Sequence, residues 1–212
     1  MNPVTSPPRP RNATERSILD AARELIAESG YEGTTIDGIA RRAIVSRTAV
    51  YFYFPNKRAI VDRLIQRSFS DMYAAASPYL DGSGDPRQEL RAGIAGVGKV
   101  VNRDGPVLLL AARLAGERSH LPDEWMPHLM RLVVAAEKRI ERDQRSGLAF
   151  TDVPAQMAAE ALCSMVERHI TLEVVRGGGV ASSSIWLLAE LWYRAVYSRP
   201  AADAGSSGAP SA

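Results

Sequence analysis

Arg47, Thr48, Tyr51, Tyr53 and Lys57 crowd into one short stretch, and each side chain can donate a hydrogen bond. The guanidinium of Arg47 is a planar fork suited to two acceptors on one flat edge, whereas the phenols and the Lys57 ammonium suit single anionic oxygens. No acid–base pair or activated nucleophile accompanies them. His120, His128 and His169 are the only histidines. The first two could share a helix face, but no HExxH or clustered Cys/His set is present, so neither a metal nor a cofactor is expected. No G-x-S-x-G elbow, P-loop or dinucleotide fingerprint occurs, and the glycines at 177–179 read as a helix breaker. The chemistry on offer is recognition, and no enzyme activity is expected.

The elements that must carry these groups lie in residues 35–54, TIDGIARRAIVSRTAVYFYF. Ile36, Ile39 and Ala40 repeat at helical spacing and give one short helix an apolar face. Ser46 can accept a backbone N–H and open a second helix, in which Ala49, Val50 and Phe54 form the buried side. Phe52 is assigned to the core as well, since an aromatic at helical spacing is more often core. Two helices this short make sense as a helix-turn-helix on a third helix, the second presenting its exposed side to duplex DNA. Arg47 would then reach a guanine edge with two hydrogen bonds, worth about 1–3 kcal/mol of discrimination. Thr48 and Ala49 are short enough to admit the helix to the major groove, with a methyl for thymine. Tyr51 and Tyr53 suit phosphates, and Lys57 can join backbone donors at the start of the next helix in holding one.

At 212 residues and 46% hydrophobic, the chain can bury one large core or two small ones. Its net charge of +2 is unevenly spread: residues 1–68 carry 11 Lys/Arg against 7 Asp/Glu, and the remainder 15 against 17. Positive charge thus gathers where phosphate contact is expected. A lone Cys163 rules out an internal disulfide and fits a reducing compartment. No apolar run reaches the roughly 18 residues of a membrane span, and MNPVTSPPRPRN is no secretory signal. A soluble cytoplasmic protein with no membrane partner is expected.

No strand-like alternation or internal repeat appears, so the fold class is all-α. A proline-rich arm at 1–12 with Arg9 and Arg11 is expected to be disordered. A helix over 14–29 carries Ile18, Ala21, Ala22, Leu25 and Ile26, and Gly30 stops it. Thr34, three residues before Asp37, is the expected cap of the next helix. After Pro55-Asn56-Lys57, a long helix with Ala59, Ile60, Leu64, Ile65 and Phe69 reaches about Pro78. DGSGDP at 81–86 breaks the chain. Helices then follow near 87–102, 106–118, 123–147, 153–176 and 183–198, with Asp104-Gly105-Pro106 among the expected breaks. The tail at 200–212 is low-complexity.

Residues 14–65 resemble the DNA-binding domain of the TetR family of transcriptional regulators. The likeness rests on ILDAARELIAESGYEGTTIDGIA, VSRTAVYFYF and PNKRAIV. It implies a helix-turn-helix domain over 13–58, with Thr35 as a DNA contact from its first helix and Ser46 beside Arg47. It further implies a helical ligand-binding and dimerisation domain over 59–199. Most members are homodimers that repress transcription from operator DNA and release it when a small molecule binds. YFYFP, Trp125 ahead of a long helix, Glu167-Arg168 and a tryptophan-bearing last helix are similar to one branch of that family.

That likeness directs attention to three further features. Family members usually carry glycine where this chain has Ile44; a β-branched residue resists positive φ, so Ile44 is expected at negative φ in a reshaped turn. Cys163, Val166, Glu167, Ile170 and Val174 share one helix face, with Trp125, Leu129 and Leu132 on the preceding helix and Trp192 on the last. By resemblance these residues line a mostly apolar tunnel with Glu167 as its polar element, although any one of them could be plain core. The branch carries two asparagines where this chain has Cys163 and Val166, which implies a more apolar effector. Finally, the last helix, IWLLAELWYRAVY, is apolar nearly all round. It is expected to bury one side in its own core and the other, with the helix at 153–176, in a homodimer. A helical adaptor or an enzyme without sequence-specific DNA binding is the alternative reading.

Overall fold

The computed structural model describes residues 11–117, 122–177 and 179–198, with side chains described over 13–111 and from 127 onward. Among the described residues there are eight helices and no strand: α1 (Arg11–Gly33), α2 (Ile36–Ala43), α3 (Arg47–Tyr53), α4 (Lys57–Leu80), α5 (Pro86–Glu117), α6 (Pro122–Arg145), α7 (Ala155–Val175) and α8 (Ser182–Tyr197). The all-α reading holds. The expectations for the arm over 1–10, the tail, His120 and the side chain of Trp125 lie outside the described residues.

The chain divides into two compact units. The first comprises residues up to 72 together with 100–124, and the second comprises 73–99 and the residues from 125 onward. Both α4 and α5 therefore begin in one unit and end in the other. In the first unit, Ile18, Ala22 and Ile26 of α1 meet Ile39 and Ala43 of α2, Val50 of α3, and Ile60 and Leu64 of α4 in one core. Val107 of α5 joins it, fully buried. Polar ties fix the helices on this core. Arg42 on α2 holds Glu28 on α1 through both terminal nitrogens at 2.6 and 2.7 Å, and Arg67 on α4 reaches Asp20 at 2.8 Å.

The expected break at Asp104-Gly105-Pro106 is overturned: α5 runs through all three residues, with Pro106 inside it. The reason is tertiary. Asp104 is buried and accepts from Ser68 Oγ at 2.7 Å, while Arg103 bonds its carboxylate and Arg23 stands 3.7 Å away. With Val101 and Val107 buried on either side, burial and this carboxylate anchor outweigh the single backbone bond a helical proline removes.

In the second unit the buried guanidinium of Arg139 on α6 is the organising group. Its Nε donates to Asp143 at 2.6 Å, and Nη1 lies 2.7 Å from Glu89 and 2.9 Å from the Gly82 carbonyl. Tyr197 of α8 donates to the same Asp143 carboxylate at 2.7 Å. Its one proton being committed, Tyr79 must donate to Tyr197 across their 2.9 Å contact, leaving Tyr79 Oη to accept from Trp192 Nε1 at 3.2 Å. A directed chain of hydrogen bonds thus links α8, α4 and α6. Between α7 and α8, Glu173 accepts from Ser184 Oγ and from the Ala181 amide, which places negative charge at the start of α8 where the helix dipole favours it. Gly96 lets α5 approach α4 closely, since a Cβ there would stand 2.9 Å from the Ala75 carbonyl.

Candidate nucleic-acid interface

Two caps and one left-handed residue shape the α2–α3 motif. Thr35, not the expected Thr34, caps α2: its Oγ1 accepts from the Gly38 amide at 3.0 Å. Thr34 is buried one residue earlier, its hydroxyl donating to the Gly30 carbonyl at 2.8 Å. Gly30 has φ 70°, so the chain turns before Thr34, and the cap shifts by one residue. Ser46 caps α3 as expected, accepting from the Ala49 amide at 3.0 Å. Asn56, which sequence reasoning passed over as part of a linker, caps α4 through the Ala59 amide at 2.9 Å.

Ile44 contradicts its expectation. It adopts φ 55° and ψ 52°, the left-handed conformation that glycine fills without strain. Its N–H bonds the Arg41 carbonyl at 3.2 Å and the Val45 N–H bonds Ala40 at 3.0 Å. This pair of bonds is the Schellman ending of a helix, which requires a left-handed residue between its two donors. The side chain is 80% exposed. The motif's hydrogen bonds therefore set the turn, and the β-branched residue accepts the strain.

On α3, Val50 and Phe54 are buried while Arg47, Thr48 and Tyr51 are exposed, with Ala49 between. Phe52 corrects a second expectation: it is 65% exposed rather than core. Successive residues on a helix turn by about 100°, so Phe52, two positions after the buried Val50, points to nearly the opposite side of α3. Tyr53 is half-buried against the core, and its ring meets Phe52 edge-on at 5.2 Å. Arg47 opens α3 with its guanidinium 3.1 Å from Asp37 and 3.3 Å from Tyr51 Oη, both on the exposed side of the motif. The Tyr51 hydrogen bond, then the Asp37 charge, hold Arg47 above the ordinary guanidinium range. Lys57 donates to the Tyr31 carbonyl at 2.8 Å and lies 4.0 Å from the centre of that ring. One of its three donors is thereby taken. Arg41, exposed at the end of α2, was not singled out from the sequence; its only signal there was the Arg41-Arg42 pair, and Arg42 is spent on Glu24 and Glu28.

The expected effector residues all fall on α6, α7 and α8. Cys163 and Ile170 are buried on α7, Val166 and Glu167 are half-buried there, and Leu129 and Leu132 are half-buried on α6. Burial pushes the Cys163 thiol up to about 12. Glu167 accepts from Thr171 at 3.0 Å. Trp192 is buried, and its indole N–H is committed to Tyr79. The outward side of α8 is largely apolar, with Trp186, Leu187 and Leu191 50%, 40% and 43% exposed, whereas on α7 Met157, 63% exposed, stands among exposed Gln156, Glu160, Ser164 and Arg168. Among the described residues no cluster of His, Cys, Asp and Glu could hold a metal ion, and no helix is long and apolar enough to cross a membrane.

The arrangement is matched by known proteins. The sequence profile of the bacterial regulatory proteins of the tetR family matches residues 18–64, which run from α1 through α2 and α3 into α4. The chain is 23% identical over 189 residues to the HTH-type transcriptional regulator EthR of Mycolicibacterium smegmatis, covering 86% of each. It is 43% identical over 54 residues to the HTH-type regulator YdeS of Bacillus subtilis, covering 25% of this chain and 27% of that one. The solved structure of a TetR-like transcriptional regulator from Rhodococcus superposes with a TM-score of 0.63 at 23% identity, covering 89% of this chain and 98% of the other, and so shares its fold.

Proposed function

We propose that this chain is a regulator of the tetR family, a cytoplasmic homodimer that binds a palindromic operator and releases it when a small, largely apolar ligand occupies the second unit. Regulators of this family are generally DNA-binding repressors and are not enzymes. The reading is carried by one observation. α3 is a capped helix whose Val50, with Phe54 just past its end, is locked in the core while Arg47, Thr48 and Tyr51 face outward. Arg47 reads a guanine edge after exchanging Asp37 for the base. Thr48 and Ala49 line the groove, and Thr35, Ser46, Tyr51, Tyr53 and Lys57 hold the flanking phosphates, joined by Arg41. The left-handed Ile44 supports this reading over an adaptor without DNA binding, because the turn keeps the shape a helix-turn-helix needs.

Dimerisation is supported by Trp186, Leu187 and Leu191, large apolar side chains that stay exposed on α8, and by exposed Met157 on α7. Pairing them about a twofold axis places two recognition helices on one duplex, about 34–36 Å apart if the half-sites lie one helical turn from each other. Leu129, Leu132, Cys163, Val166, Ile170 and the ring of Trp192, with Trp125, receive the ligand, and Glu167 is their polar element. α4 begins at Lys57 in the first unit and ends in the second. A ligand that prefers a tilted α4 would lower DNA affinity by as much as that preference and no more.

A gel-shift with the protein's own upstream DNA tests the proposal. Sequence-specific retention by the wild type, weakened about tenfold or more by Arg47→Ala and less by Tyr53→Phe, is expected. Equal retention of upstream and random DNA would overturn it.

A further inference from the structure

An open groove of about 520 Å³ lies between the last turns of α4 and one face of α6, entirely within the second unit. It contains none of the residues assigned above to the effector. Arg131, Val134, Ala135, Lys138 and Arg142 fall at helical spacing, so one wall of α6 alternates cations with apolar rungs. Met130 and Val134 on that wall are 40% and 41% exposed, while Leu80 of α4, almost fully buried, forms the floor.

The electrostatics of the lining are predominantly positive. Arg139 also lines the groove, but Glu89 and Asp143 already neutralise it. Arg131, Lys138 and Arg142 remain, against the single carboxylate of Asp81. Arg131 is held 4.1 Å over the Tyr73 ring, and Arg142 leans on the Gly82 carbonyl and stands 3.7 Å from Asp143. Lys138 has no ion-pair partner among the described residues. This density of cations is not inherited from composition, because the chain beyond residue 68 is net acidic. A volume of this size falls within the roughly 300–1,000 Å³ common for small-molecule sites.

We propose that this groove binds a small acidic amphiphile, its carboxylate or phosphate head on Arg131, Lys138 and Arg142 and its apolar arm on Leu80, Met130 and Val134. An anion alone would leave the apolar rungs unused, and a neutral apolar molecule would draw nothing from the cations beside it. The site is separate from the effector face of α7, so it can hold a second ligand on the helix that starts at Lys57.

Equilibrium dialysis of the full chain against octanoate, octyl phosphate, 1-octanol and inorganic phosphate tests the assignment. Saturable binding of octanoate or octyl phosphate is expected, and whichever binds identifies the head group. Arg131→Glu/Lys138→Glu should weaken it about tenfold or more, and Val134→Asp should weaken it as well. All three positions are exposed, and an unchanged circular dichroism spectrum confirms that each variant folds. The proposal is overturned if neither acid binds saturably up to about 1 mM, if the charge reversals leave binding unchanged, if 1-octanol displaces the acid equally well, or if inorganic phosphate binds as tightly. Displacement by 1-octanol would point instead to the apolar effector site, so failure of this inference and failure of the effector reading give different results.

Discussion

Ile44 offers a direct measure of what the helix-turn-helix demands of its turn. At φ 55° its backbone lies where a non-glycine residue is strained by about 1–2 kcal/mol, and β-branching places it toward the upper end. The side chain is 80% exposed, so removing it forfeits only about 0.3–0.6 kcal/mol of burial. In Ile44→Gly the strain disappears, but glycine's greater backbone freedom in the unfolded chain returns about 0.5–1 kcal/mol. The balance favours the variant by about 0.5 kcal/mol. Asparagine tolerates the left-handed region without that entropic loss, so Ile44→Asn should gain about 1 kcal/mol, or roughly 2–4 °C in Tm for a chain of this size. Urea and thermal denaturation at one fixed protein concentration provide the assay, since association would otherwise shift the midpoint. Because the turn is already left-handed, affinity for upstream DNA should stay within about twofold of wild type. Two variants both at or below wild-type stability would refute the reasoning, since Ile44 would then be held by something other than the helix ending.

Asp104→Asn should cost about 1–3 kcal/mol near neutral pH. Burial pushes the Asp104 carboxyl up, but the hydrogen bonds of Arg103 and Ser68 with the charges of Arg103 and Arg23 outweigh it and hold the group below 3.8. Its stabilisation is therefore complete above the ordinary carboxylate range and fades as pH falls below 3.8 through the folded value, so the gap in urea midpoint between variant and wild type should narrow as the pH is lowered past that point. Arg139→Met strips Glu89 and Asp143 of the buried cation they share and should lose about 3–5 kcal/mol by chemical denaturation, more than Arg139→Lys. Cys163, buried and with its thiol pushed up to about 12, should resist thiol reagents at neutral pH until urea unfolds the chain. Leu187→Asp/Leu191→Asp should sediment as a monomer and lose operator retention; a variant that still sediments as a dimer would remove α8 from the interface.

The recognition motif was legible in the sequence because its signals are local. Ser46 as a cap, Val50 and Phe54 as the inward face, and the apolar stripe of α1 each depend on spacing within a turn or two. Part of what escaped depended on distant partners, and part on local geometry that residue type alone does not reveal. Pro106 reads as a break until Ser68 and Arg23 are seen holding Asp104. Thr34 and Thr35 are equivalent as caps until the turn at Gly30 buries the first. Intrinsic preference argues against a left-handed Ile44, and the two hydrogen bonds that close α2 override it. Residue type argues for a buried Phe52, whereas its angular position on α3 decides. The Arg139–Asp143–Tyr197–Tyr79–Trp192 chain joins three helices far apart in sequence, and no short pattern announces it.

A hydroxyl-radical footprint of the wild-type protein on its upstream DNA tests the central claim most directly. Two protected patches, related by a twofold axis and centred about one helical turn apart, are expected, and Arg47→Ala should abolish both together. A single patch, or uniform protection without sequence preference, would contradict the account.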